Sequence, residues 1–66
     1  MSRTPFTARQ IKALRLINHG LSNQEIAAKL SITVGTAKWY LHQIFNKLKV
    51  HSRTAAAAEA RRRRLI

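Results

Sequence analysis

Four positions in the stretch VGTAKWYLH have the types and spacing for surface chemistry: Gly35, Lys38, Trp39 and His42. A lysine donates well to guanine O6 and N7, and an aromatic face can lie against a thymine methyl group. A glycine leaves no side chain, so another backbone can approach closely, at a helix-propensity cost of roughly 1 kcal/mol. Advancing 100° per residue, Ala37, Leu41, Ile44, Phe45 and Leu48 fall within about 60° of one direction. Those five make a core stripe. Gly35, Trp39, His42, Gln43 and Asn46 fall on the opposite side, with Lys38 and Tyr40 flanking the stripe. Trp39 is therefore expected to point outward. The plainer alternatives are that Trp39 folds back over Gly35 or Gln43, and that Lys38 and His42 are merely solvated.

The elements that must hold this face carry their own start and stop signals. Thr7-Ala-Arg-Gln10 and Ser22-Asn-Gln-Glu25 are both capping boxes, with Phe6 and Ile11, then Leu21 and Ile26, at hydrophobic-staple positions. Gly20 supplies a left-handed stop for the first helix, whose apolar positions are Ile11, Leu14 and Ile17. The second helix is only about two turns long, buries Ile26, Ala27 and Leu30, and must be held by its neighbours. Thr33 caps the third helix and Ser52 the fourth, in which the alanines allow close helix packing. The expectation is an all-α, compact four-helix domain with helices at about 8–18, 23–30, 34–48 and 53–64. Residues 1–66 form one domain, with 1–5 as a flexible N-terminal arm. No strand or repeat signal is visible.

Composition narrows the partner. Thirteen Lys and Arg stand against two acids, a formal charge of +11, while apolar residues at 45% suffice for a small core. Such charge opposes compactness, so it points to a polyanionic partner. With no cysteine there is no disulfide framework and no thiolate metal site. His19, His42 and His51 are scattered without converging carboxylates, so no metal and no cofactor are expected. Glu25 reads as a cap residue, and no nucleophile–base–orienter set is present, so the chain is not expected to be an enzyme. The N-terminus has no long apolar run, so neither a secretory signal nor a membrane span is expected there. Whether the chain is a fragment or stands alone is open.

A short helix, a tight turn near "SI" and a longer helix are the halves of a helix-turn-helix, in which the second half enters the DNA major groove. The blocks LSNQEIAAKL and T-x-K, with Ile44, Lys47, Leu48, Val50 and Arg53, closely resemble the LuxR/NarL/GerE-type helix-turn-helix DNA-binding domain. The likeness extends over nearly the whole chain, and GTAKWYLHQIFNKL is similar to the version in large, ATP-binding, maltose-regulator-like activators. The resemblance implies sequence-specific double-stranded DNA binding, transcription regulation, and a homodimer formed through the fourth helix on an inverted-repeat site. The outward face of the third helix makes Lys38, Trp39, His42 and Gly35 the expected base-contacting residues, and of these Lys38 matches the family's main base-contacting lysine. The phosphate-contacting residues expected are Ser22, Asn23, Gln24, Thr33, Thr36, Tyr40, Lys47 and Arg53. Of these, Asn23, Thr36 and Lys47 match family positions that usually meet phosphates or support the turn. The dimer interface expected on the fourth helix is Ala55, Ala58, Glu59 and Arg62.

The chain departs from the family pattern at several positions. Tyr40 stands for the usual histidine, Ala37 for valine, Trp39 for valine or isoleucine, Gln10 for glutamate, and Arg64 for a common glycine. Site preference is therefore not transferable from the family. An alternative reading has the same shape docking RNA polymerase or a sigma factor. No membrane or small-molecule partner is expected in this segment, and the location expected is cytoplasmic and nucleoid-associated.

Overall fold

In the computed structural model, which describes residues 5–66, the chain forms α1 (Ala8–Asn18), α2 (Asn23–Leu30), α3 (Val34–Leu48) and α4 (Arg53–Arg62). Residues 1–4, most of the expected arm, lie outside the described residues. Each helix starts on a hydroxyl. Thr7, Ser22, Thr33 and Ser52 accept from the backbone N–H of Gln10, Glu25, Thr36 and Ala55. The two expected boxes close reciprocally, with Thr7 N–H donating to Gln10 Oε1 at 2.9 Å and Ser22 N–H to Glu25 Oε1 at 2.8 Å.

The helix ends follow one rule that the sequence showed only once. Gly20, Ser31, Lys49 and Arg64 all take the left-handed conformation, with φ of 83°, 59°, 58° and 58°. The next residue in each case is apolar, and its N–H donates back five residues: Leu21 to Leu16 O, Ile32 to Ala27 O, Val50 to Phe45 O, and Leu65 to Ala60 O, at 2.8–3.2 Å. This is the Schellman arrangement, in which the apolar residue after the left-handed one turns back onto its helix. All four of these apolar side chains pack against the core. The same device corrects one boundary. α4 ends at Arg62 rather than near residue 64, because Arg64 takes over the left-handed role that a glycine fills more easily.

The core is assembled from one stripe per helix: Ala13, Leu14 and Ile17; Ile26, Ala27 and Leu30; Ala37, Leu41, Ile44 and Leu48; Ala56, Ala57 and Ala60. In α1 the small Ala13 is fully buried, whereas the expected Ile11 is only partly so; in α3 Phe45 likewise sits at the edge. α1 packs mainly on α2 and α4, and α3 packs mainly on the same two.

Candidate nucleic-acid interface

On α3 the outward positions are open. Trp39 is 63% exposed and is the only large hydrophobic side chain so exposed among the described residues. Gly35, Lys38 and His42 are exposed beside it. A Cβ built on Gly35 would meet nothing within 4 Å, so nothing inside the domain requires a glycine there. Thr33 Oγ1 donates to Thr36 Oγ1 at 2.9 Å and also accepts from Thr36 N–H. Since a hydroxyl carries one proton, that bond uses the Thr33 proton and leaves the Thr36 hydroxyl as the outward donor.

Next to this face, Asn23, Lys38 and His42 line a cleft of about 180 Å³ together with Leu41, Phe45 and Arg53. Three helices meet there: the first turn of α2, the middle of α3 and the first turn of α4. Arg53 is fixed by donating from Nη1 to Leu21 O at 3.2 Å. Asn23 Oδ1 is buried and makes no hydrogen bond among the described residues. A buried acceptor without a partner is costly by about 1–3 kcal/mol, a debt that an incoming group or water relieves. Two cations, one imidazole and one carboxamide thus converge where the positive N-terminal end of α2 also lies.

Other expected positions are placed differently. Lys47 Nζ donates to Pro5 O at 2.7 Å and to Gln10 Oε1 at 3.3 Å, and sits 5.1 Å from the centroid of the Phe6 ring. It ties α3 to the segment that begins α1, so Pro5, the last residue of the expected arm, is anchored. Tyr40 is half-buried against the core rather than beside Trp39. Ser22 is engaged in its capping box, while Gln24 is exposed on α2. On α4, Ala58 and Arg62 are exposed, and Ala55 and Glu59 are half-buried. Glu59 accepts from Arg62 Nη2 at 2.5 Å and from Arg63 Nε at 2.6 Å. The two guanidinium groups, Arg62 first, pull the Glu59 carboxyl down to about 2. The backbone N–H of Ser22, then its hydroxyl, likewise holds Glu25 below its ordinary value.

Sequence reasoning missed the Arg53–Leu21 bond and the buried Asn23 oxygen. Both depend on segments far apart in the chain, and no local signal announces them. Among the described residues no three His, Asp or Glu side chains converge as a metal site, and no helix is long and apolar enough to cross a membrane.

A short bracing helix, a tight turn and a helix with an open, basic outer face define a helix-turn-helix domain of the DNA-binding class. Residues 4–60 match the family of bacterial regulatory proteins of the luxR type, and the chain belongs to that family. It is a DNA-binding transcription-regulator domain. Among curated relatives it is 43% identical over 65 residues to the HTH-type transcriptional regulator AlkS of Alcanivorax borkumensis, covering 98% of this chain and 8% of that protein. It is 42% identical over 60 residues to the transcriptional regulatory protein LiaR of Bacillus subtilis, covering 91% of this chain and 28% of that one. The fold superposes with a TM-score of 0.90, at 45% identity, on the response regulator ChrA of a heme-sensing two-component system, over 100% of this chain and 33% of that chain. The chain thus spans a small part of the length of the relatives it matches. They are named as regulators rather than enzymes.

Proposed function

We propose that α3 reads double-stranded DNA in the major groove, with Lys38, Trp39 and His42 on base edges and Gly35 allowing the backbone to approach. The observation that carries this reading is the exposed indole of Trp39 on a face where the neighbouring Gly35 has empty space above it. The Asn23 Nδ2 amide and the Arg53 guanidinium donate to a phosphate at the adjacent cleft. Thr36, Ser22, Thr33 and Gln24 lie near the helix starts that would follow the backbone. Lys47 serves as an internal tether, and Tyr40 supports the face from its buried side.

The domain acts as a homodimer through the outer face of α4, where Ala55 and Ala58 permit close approach and the Glu59–Arg62 pair supplies polar contacts. A two-fold dimer calls for an inverted-repeat site with half-site centres about 10 bp apart or a multiple of that. The cytoplasm and nucleoid follow as the location from the partner. A module docking RNA polymerase through α3 is less well supported, since Trp39 is the only large exposed apolar side chain among the described residues. Selection of bound sequences from a random DNA pool tests the reading. Recovery of one inverted-repeat motif, with quenching of Trp39 fluorescence on binding it, is the expected result. A pool that stays random would reduce the interaction to charge alone.

A further inference from the structure

Trp39 is the one large apolar side chain left exposed among the described residues. It lies one helical turn after Gly35 on the same face of α3, because residues four apart stack one above the other. Long side chains on a helix lean toward its N-terminus, so the indole rises beside Gly35 rather than away from it. It does not cover that position, since a Cβ placed on Gly35 meets nothing within 4 Å. The result is a step with room for a methyl group, floored by bare backbone and walled on one side by an aromatic ring. The other neighbours of Trp39 on the helix surface, Thr36, His42 and Gln43, are exposed and polar.

We infer that this step seats the C5-methyl group of a pyrimidine, so that Trp39 and Gly35 together select thymine at one position of the bound sequence. The inference deepens the major-groove reading of α3 and rests on it. The other groups that distinguish base edges in the major groove are hydrogen-bond donors or acceptors, and the C5-methyl is the one apolar feature among them. Laying an indole face over an O6, N7 or N4 atom strips water from that atom without replacing the bond. Against a methyl group the same contact takes apolar surface out of water on both partners. With no Cβ on Gly35, the methyl carbon can reach the backbone itself, and any larger residue there would fill its seat. Thymine and 5-methylcytosine share this methyl group. The Trp39 Nε1–H only donates, which favours the O4 acceptor of thymine over the N4 amino group of the modified cytosine.

The test is a binding series on the sequence selected from a random pool, with each thymine replaced in turn by deoxyuridine, which lacks only the methyl group. At one thymine the loss should be about fourfold, the worth of burying one such group. Trp39→Ala and Gly35→Ala should each bind the thymine and deoxyuridine duplexes alike, whereas Trp39→Phe should keep part of the difference. Both positions are exposed, so circular dichroism should match wild type for all three variants. At the same position 5-methylcytosine should bind more tightly than cytosine, a comparison in which the N4 group cancels. Deoxyuridine tolerated at every position, an undiminished thymine preference in Trp39→Ala, or equal binding of the two cytosines would each overturn the proposal. So would unchanged DNA affinity in Trp39→Ala, which would leave the indole to a protein partner. A selected motif whose thymines all tolerate deoxyuridine removes the methyl seat alone. A pool that stays random removes the major-groove reading with it.

Discussion

Arg53 Nη1 donates to Leu21 O at 3.2 Å, joining the first turn of α4 to the residue that precedes the cap of α2. That bond brings Arg53 and Asn23 to one cleft, beside Lys38 and His42. If the cleft holds a phosphate, Arg53→Gln should weaken specific and random duplexes alike and reduce the salt slope of binding by about one. Fluorescence anisotropy across a salt series checks this. An unchanged slope would leave Arg53 a purely structural tie.

Lys38→Ala should behave differently. The side chain is exposed and packs nothing in the core, so circular dichroism and melting should match wild type. Discrimination between the selected site and random DNA should fall by about 1–3 kcal/mol, the worth of one good base contact. Equal binding of mutant and wild type to the selected site in a gel-shift assay would refute the assignment.

Gly35→Ala separates stability from function. The added methyl meets nothing within 4 Å and Gly35 lies in a helix, so the domain should gain up to about 1 kcal/mol in denaturant unfolding. Binding to the selected site should nevertheless weaken, because the space above Gly35 is where DNA would approach. A variant that is both more stable and equally tight would remove the close-approach role.

The left-handed caps make a prediction about stability alone. Arg64→Gly and Lys49→Gly should each stabilise by about 0.5–1 kcal/mol, since a left-handed L-residue costs about 1–2 kcal/mol and glycine's extra chain entropy offsets part of the gain. Arg64→Ala and Lys49→Ala serve as the comparison. If the alanine variants melt as high as the glycine ones, the gain came from removing charge rather than from the backbone.

The chain has two side-chain carboxylates, and both are held below their ordinary value of 4.5 in the fold. A depressed carboxyl contributes stability that is fully present above about 4.5 and is lost as pH falls through the folded value. Melting temperature should therefore be flat down to near that pH and then drop towards about 2 as Glu59 takes up its proton. Glu59→Gln should show a shallower drop, with a lower melting temperature at neutral pH. Parallel curves for the two proteins would mean that the Arg62 and Arg63 contacts add nothing to folding.

Much of the fold was legible along the chain because its signals are local. A hydroxyl with its partner three residues on marks a helix start, and a stripe at helical spacing marks the buried face; Thr7, Ser22, Thr33 and Ser52 and the Ala37–Leu48 stripe all behave accordingly. The outward direction of Trp39 followed from the same geometry. Helix ends were harder to read, since Ser31, Lys49 and Arg64 do not look like stops; the apolar residue after each was the overlooked cue. What the sequence by itself determined is where each helix begins, which face it buries and which it offers, because hydrogen-bonding reach and side-chain period act within a few residues. The tertiary structure alone decided that Asn23, Lys38, His42 and Arg53 share one cleft, and that Lys47 turns inward to Pro5. Those depend on how the helices cross, and crossing is set by the collective packing of the core rather than by any short stretch of chain.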